Sequence, residues 1–260
     1  MRECIIMKSG PDGVSNDFEA GAQRLPAASM DRAPTTTPAL PSDIKLRHDV
    51  QPHNPIDWHY PKKTMSDHFA QAACNFLGFF ADSFFRKRYG HRAVVLETVA
   101  AVPGMVGAMF NHLGSVRKLE TDNGRIRTLM DEAENERMHL MTFLEVTKPT
   151  WLERGLIMGV QGVFFTAFSA AYLLDKRTAH RFVGLIEEKA VQSYTDYLAE
   201  VDAGRIENVD APQIAIDYWG LAQDAKLRDV IIAVRNDEME HRDVNHQIAS
   251  EIDLARSQPG

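Results

Sequence analysis

The chain has 260 residues, enough for one large domain or two ordinary ones with a substantial core. Its formal net charge of -7 excludes a nonspecific nucleic-acid binder, because such proteins present basic surfaces to phosphates. A mean hydropathy of -0.29 excludes a protein with several membrane spans, but it does not exclude one embedded apolar face. Two cysteines, Cys4 and Cys74, are too few for a disulfide scaffold or a thiolate metal site.

The N-terminal quarter differs in composition from the rest of the chain. Most of the 12 prolines lie in residues 1–61, which predicts an extended or disordered arm there and a folded domain over residues 62–256. The arm lacks the long apolar stretch of a secretory signal. Its basic residues are matched by acidic ones, whereas mitochondrial transit peptides are rich in arginine and poor in acid.

Beyond the arm, long stretches without proline and the lack of alternating apolar patterns predict an all-α fold. We expect a short helix at 65–80 and long helices at 90–117, 122–147, 150–174, 177–203 and 222–253. Pro103 falls inside the first long helix and is expected to kink it.

Two of these helices are unusually apolar. The stretch Gly155–Leu174 carries no charge, and Ala93–Phe110 is interrupted only by Glu97 and Pro103. A transmembrane helix needs about 20 apolar residues, so the length alone fits a span. Gln161 and the many small residues equally suit a helix packed inside a large bundle, which is the interpretation favoured by the residues themselves.

Two predicted helices contain the motif Glu-x-x-His, as Glu136/His139 and Glu238/His241. Residues three apart project from the same helix face, so each motif can present a carboxylate and an imidazole together. One such motif alone is weak evidence for a site. Glu97, however, lies in an otherwise apolar stretch, where burying an unpaired carboxylate would be costly.

Glu187 completes the pattern, because it follows another apolar stretch on a fourth helix. One glutamate from each of two helices and Glu-x-x-His from each of two others form the ligand set of di-iron carboxylate bundles. The sequence therefore predicts a ferritin-like four-helix bundle that binds two iron ions, with additional helices. Asn135 and Asp237 precede the motif glutamates and could orient the ligands. Tyr194 lies two turns after Glu187, a spacing that fits either packing or a redox role beside the metals.

Four separated motifs closely resemble those of the alternative oxidases. They are LETVAAVPGMVG (96–107), NERMHLMTFLEV (135–146), AIDYW (215–219) and HRDVNH (241–246), and the resemblance covers about residues 80–250. These enzymes are cyanide-insensitive di-iron quinol oxidases. The resemblance thus implies reduction of O2 to water with electrons from ubiquinol, without proton pumping.

The resemblance also assigns roles by position. The implied metal ligands are Glu97, Glu136, His139, Glu187, Glu238 and His241. The residues implied to hydrogen-bond around them are Asn135, Asp237, Tyr218 and Trp219, and those implied to line the quinol cavity are Arg92, Leu96, Ala190 and Ser193. Tyr194 is implied to be the redox-active tyrosine beside the metals. Lys189 departs from the pattern, because plant members typically have a glutamate there.

The family's proteins are homodimers that embed one apolar face in a single leaflet. On this basis Ala93–Phe110, which follows a cluster of basic residues, is expected to be an interfacial helix, and Gly155–Leu174 is expected to pack in the core and the dimer. Without a transit-peptide pattern, the cytoplasmic face of a bacterial inner membrane is the expected location. The matrix face of the mitochondrial inner membrane is the second choice.

Two other functions fit the same ligands. A plastid-type plastoquinol oxidase would use the same chemistry, but the matching region lacks the insertion expected of that type. A ferritin-like protein that binds or stores iron would need polar outer faces, whereas this chain has long uncharged stretches.

Overall fold

The computed structural model describes residues 54–85, 88–147 and 151–258. These form seven helices and no strands, apart from one isolated bridge between Asp210 and Lys226, and the predicted all-α class is confirmed. The helices are α1 (Met65–Phe85), α2 (Tyr89–Lys118), α3 (Arg125–Thr147), α4 (Trp151–Leu174), α5 (Lys176–Asp202), α6 (Gln213–Trp219) and α7 (Leu227–Ser257).

The six predicted helices correspond to α1–α5 and α7, with bounds within about five residues, whereas α6 was not predicted. The short helix α6 precedes α7 and ends at Gly220, whose left-handed backbone (φ 63°) stops it after seven residues. Leu119, which is also left-handed, caps the end of α2, and Asp175 caps the start of α5, where its carboxylate accepts a hydrogen bond from the Thr178 amide.

Two helix pairs form the bundle: α2 packs on α3, and α5 packs on α7. Small residues allow both close approaches. A Cβ added to Gly104 of α2 would lie 2.5 Å from the Leu129 carbonyl oxygen of α3, and one added to Gly184 of α5 would lie 2.7 Å from the His246 ring of α7. Helix α4 lies against α2 and α1 against α5, so the four helices that carry the predicted ligands form the centre of the bundle.

Helices α2 and α4 are both long and apolar enough to cross a membrane by length and composition. Helix α2 packs its middle against α3 and buries side chains such as Val94, Val102 and Val106, so its packing does not support the prediction that it is the interfacial helix. Helix α4 instead exposes Met158, Val163 and Leu173 in the single chain. Arg86 and Lys87, two residues of the basic cluster that precedes Ala93–Phe110, lie outside the described residues.

The last residues of the predicted arm contact the bundle. Arg242 of α7 donates hydrogen bonds to the carbonyl oxygens of Asn54 and Pro55, and Glu188 of α5 accepts one from the Tyr60 amide. The Tyr60 ring lies over the Arg181 guanidinium, 3.4 Å from its central carbon. Residues 54–60 therefore form a strap across α5 and α7. The prediction for residues 1–53 lies outside the described residues.

Candidate metal centre

All six predicted ligands are buried, and none of these residues exposes more than 7% of its surface. Glu97 comes from α2, Glu136 and His139 from α3, Glu187 from α5, and Glu238 and His241 from α7. Each lies on the buried side of its helix, so forming the bundle brings them together. Glu97, Glu136, His139 and Glu238 offer ligand atoms that all lie within 4.8 Å of one another.

His139 lies at the middle of this group. Its Nδ1 atom is 3.3 Å from Glu97, 3.4 Å from Glu136 and 3.4 Å from Glu238, measured to the nearest carboxylate oxygens. Its Nε2 atom lies 3.2 Å from Asp237 Oδ2, and this carboxylate accepts a hydrogen bond from Nε2–H. When the ring is neutral and its proton is on Nε2, the Nδ1 atom has a lone pair that faces three carboxylates. A bound cation would stabilise this arrangement.

His241 repeats this arrangement on the other Glu-x-x-His motif. Its Nδ1 atom lies 2.7 Å from Glu136 Oε1 and 3.9 Å from Glu238 Oε2. The first pair is close, yet neither atom makes a hydrogen bond of acceptable geometry. Both Glu136 oxygens and Glu238 Oε2 are likewise buried without a hydrogen-bond partner. Buried polar atoms normally have partners, so these atoms are suited to bind metal ions.

Glu187 faces this group from α5. Burial and the charges of Glu238 and Glu136 raise the pKa of Glu187 well above its usual value. Burial and the same two neighbours also raise the pKa of Glu97. Four carboxylates in one buried space repel one another, and two divalent cations would neutralise their four charges.

The donor types fit iron. Carboxylate oxygens and imidazole nitrogens bind ferrous iron, and carboxylates can bridge two such ions. Burial alone would lower the pKa of His139 and of His241, but Glu136 and the other carboxylates raise both well above the usual histidine value. The same negative field that favours a proton on each imidazole favours a bound cation.

The residues predicted to surround the ligands form one hydrogen-bonded group. Asp237 Oδ2 accepts from Trp219 Nε1 at 2.8 Å and from Asn135 Nδ2 at 2.9 Å, in addition to its contact with His139. Asn135 Nδ2 also donates to the Tyr218 hydroxyl at 3.0 Å. Asp237 thereby fixes the ring of His139, and α6 contributes to the centre through Tyr218 and Trp219.

Tyr194 lies inside the centre. Its hydroxyl donates a hydrogen bond to Glu97 Oε1, and only 5% of its surface is exposed. Burial and the Glu97 charge raise the pKa of Tyr194 well above 10. A phenol that keeps its proton beside metal-binding carboxylates can lose an electron and pass that proton to a neighbour, which is chemistry that a packing role does not need.

Glu132 is a buried carboxylate that the sequence analysis missed. It lies one helical turn before Glu136 on α3 and accepts hydrogen bonds from Asn245 Nδ2 at 3.1 and 3.0 Å. Burial raises the pKa of Glu132 to about 7, although the nearby His241 lowers it. Its four-residue spacing from Glu136 was the available signal, because residues four apart share a helix face.

The four residues predicted for the quinol cavity lie on two helices. Arg92 and Leu96 are one turn apart on α2, and Ala190 and Ser193 are three apart on α5. All four are partly exposed, so they lie between the buried centre and the surface. The Lys189 side chain lies beside Gly78 of α1, where an added Cβ would be 3.2 Å from its Nζ atom.

Comparison with known proteins agrees with this centre. A profile of the alternative oxidase family matches residues 53–250. The chain is similar to the rice protein "Ubiquinol oxidase 1a, mitochondrial", with 57% identity over 75% of this chain and 58% of the relative. It is 56% identical to tobacco "Ubiquinol oxidase 2, mitochondrial" (72% and 63%) and 55% identical to mango "Ubiquinol oxidase, mitochondrial" (75% and 61%).

The names of these relatives bear on location. All three are named mitochondrial, so the comparisons do not support the bacterial inner membrane that the arm's composition suggested. The chain spans about three fifths of the length of these relatives. Since the profile extends from the strap through the last ligand-bearing helix and includes all six predicted ligands, the chain belongs to the alternative oxidase family.

Proposed function

We propose that this chain is a cyanide-insensitive ubiquinol oxidase that reduces O2 to water. Two ubiquinols each lose two electrons and two protons, and one O2 takes up all four of each to give two waters. The names of the relatives support this reaction, and the centre supports it chemically, because it is buried, rich in carboxylates and includes a tyrosine. The clustering of Glu97, Glu136 and Glu238, carboxylates from three helices, around His139 is the observation that carries the proposal.

Six residues would hold two iron ions in this proposal: Glu97, Glu136, His139, Glu187, Glu238 and His241. When bound, the iron pair supplies the redox chemistry that O2 reduction needs. The chain's own residues hold the ligands in place and exclude water. Asp237 fixes the tautomer of His139, and the apolar packing of Val94 and Phe143 keeps the centre dry.

Tyr194 would supply an electron and a proton during cleavage of the O–O bond, and an electron and a proton from ubiquinol would later restore the phenol. The Tyr194 hydroxyl donates a hydrogen bond to Glu97, so the Glu97 carboxylate can accept the phenol proton when the electron leaves. Quinol would approach between α2 and α5, along Arg92, Leu96, Ala190 and Ser193, whose partial exposure leaves this side of the centre accessible.

The membrane face would be formed by α1 together with α4. Helix α1 exposes Phe69, Phe76, Phe79 and Phe80, each more than half exposed, and α4 adds its own exposed apolar residues. Such a face would embed in one leaflet rather than span the bilayer. The mitochondrial names of the relatives favour the inner mitochondrial membrane, on its matrix face, over the other predicted location.

A second apolar stripe supports a homodimer. Met105, Met109, Leu113 and Val116 recur along one side of α2, and Met130 of α3 is exposed as well. Exposed apolar stripes of this length commonly mark contacts between subunits. The storage and plastoquinol alternatives are not favoured, since the relatives are named ubiquinol oxidases.

The test is oxygen uptake by membranes that contain the protein, driven by ubiquinol in the presence of cyanide. We expect uptake to persist in cyanide and to vanish in Glu136→Ala, together with loss of bound iron. Glu145→Ala, at an exposed glutamate of the same helix, is the matched control and should retain full uptake. Uptake unchanged by Glu136→Ala would refute the proposed centre.

A further inference from the structure

An acidic cleft lies between α3, α6 and α7. It reaches the centre from the side opposite α2 and α5, the two helices that carry the residues predicted to bind quinol. It encloses about 170 Å³ and is lined by carboxylates from α3 and α7, including Asp131, Glu132 and Glu240. At its outer end lie Arg127 and Glu134, whose side chains are 67% and 56% exposed. At its inner end lie Glu132 and the predicted ligand His241, both buried.

We propose that this acidic cleft is the route by which ferrous iron reaches the centre, with Glu132 as the transient ligand. This inference rests on the proposed di-iron centre. A cleft lined mainly by one sign of charge raises the local concentration of the opposite ion. A hydrated divalent cation is poorly suited to the apolar surfaces of α1 and α4, so a polar path is needed.

Glu132 is placed to receive the ion. Asn245 donates to both of its oxygens, which leaves lone pairs for a cation, because an ionised carboxylate has about four acceptor sites. It precedes Glu136 by one helical turn, so an ion that leaves Glu132 next meets Glu136 and His241.

Unpartnered atoms beside the cleft point to the same ligand. Asn135 lines the cleft, is 8% exposed, and its side-chain oxygen has no hydrogen-bond partner. His241 also lines the cleft, and its Nδ1 atom lies 2.7 Å from Glu136 Oε1, so the inner end of the cleft reaches the predicted ligands. An amide oxygen and an imidazole nitrogen are both donors to ferrous iron. The cleft therefore combines surface carboxylates with buried donor atoms.

An ion pair stands at the outer end of the cleft. Arg127 Nε lies 2.6 and 2.8 Å from the two oxygens of Asp131. The arginine neutralises this carboxylate and repels an approaching cation. Removing the arginine should therefore favour loading, whereas removing Glu132 should hinder it.

The experiment follows iron uptake by full-length protein prepared without iron. Ferrous iron is added under anaerobic conditions, a ferrous chelator traps unbound metal at set times, and iron per chain is measured. We expect two irons per chain at saturation. Glu132→Gln should slow uptake about tenfold without changing that number, and Arg127→Gln should speed it about threefold, as expected for charges that steer an ion. Glu145→Gln, away from the cleft on the same helix, should load at the original rate.

The outcomes separate the route from the centre. Uptake of two irons at an unchanged rate in both Glu132→Gln and Arg127→Gln would overturn the route and leave the centre standing. Fewer irons at saturation in Glu132→Gln would make it an equilibrium ligand and overturn its transient role. If Glu132→Gln does not fold, the faster loading of Arg127→Gln, a surface change, decides the question. No iron uptake by the unmodified protein would refute the proposed function and this route together.

Discussion

The hydroxyl of Tyr194 on α5 donates a hydrogen bond to Glu97 on α2, across 97 positions of sequence. The Tyr194 ring stacks on Phe143 of α3, with ring centroids 5.7 Å apart. Glu97 of α2 and Phe143 of α3 thus hold the phenol of Tyr194, which belongs to α5. Its raised pKa keeps it protonated at neutral pH, so that an electron and a proton can leave it together.

Tyr194→Phe tests this role. The change keeps the ring and its packing but removes the proton and the hydrogen bond to Glu97. We expect quinol oxidase activity to fall by at least about 100-fold, the size of effect typical of a group that transfers a proton in the reaction, while two irons per chain remain bound. Tyr197→Phe, at another buried tyrosine of the same helix, is the control. Activity within a factor of two of the original would assign Tyr194 to packing.

His180 should make stability depend on pH. It is buried between the Tyr172 hydroxyl and Asn245, and burial lowers its pKa from 6.5 to about 4. The unfolded chain therefore binds a proton at this residue that the folded chain does not, and the free energy of unfolding should fall as the pH drops from 6.5 toward 4. His180→Gln should show a smaller fall over this range in urea unfolding. An equal pH dependence in both proteins would contradict this assignment.

Two glycines of α2 should respond in opposite ways to alanine. Gly104→Ala places a Cβ 2.5 Å from the Leu129 carbonyl oxygen, which is backbone of α3 and cannot move cheaply, so we expect a loss of about 2 kcal/mol or more. Gly114→Ala meets nothing within 4 Å. It should stabilise the chain by up to about 1 kcal/mol through helix propensity. Thermal unfolding of both variants checks the signs, and equal effects would contradict the close packing of α2 on α3.

The exposed phenylalanines of α1 should govern binding to membranes. Phe79→Ser with Phe80→Ser removes two side chains that are 66% and 56% exposed and make little core contact. We expect the partition onto liposomes to fall about tenfold or more, since burying one such side chain contributes about 1.5–3 kcal/mol. Leu254→Ser, at an exposed apolar residue of α7, is the control. Equal binding by both variants would exclude α1 from the membrane face.

Helical spacing was sufficient to group the ligand side chains. Glu136 and His139, like Glu238 and His241, share a face because of their three-residue spacing, and Glu97 was singled out by its apolar neighbours. The same reasoning did not separate α2 from α4. Both are apolar, and which one is covered depends on tertiary packing, here on the close approach at Gly104.

Glu132 and α6 show a different limit. Glu132 lies four residues before Glu136, a spacing that puts both on one face of α3, but its hydrogen bond with Asn245 is visible only in the fold. Helix α6 has seven residues, too few for an apolar period to be recognised, and its end depends on the left-handed backbone of Gly220. Both features depend on contacts between distant segments, which local patterns do not encode.

The strap over α5 and α7 has a consequence for the order of folding. Its hydrogen bonds join Tyr60 to Glu188 and Asn54 to Asp243, across 128 and 189 positions. Loops of this length form slowly, and both partner helices must already be paired before the strap has a surface to bind. Glu188 and Asp243 lie one and two positions from Glu187 and His241, so docking of the strap is a late step that fixes the backbone beside two metal ligands.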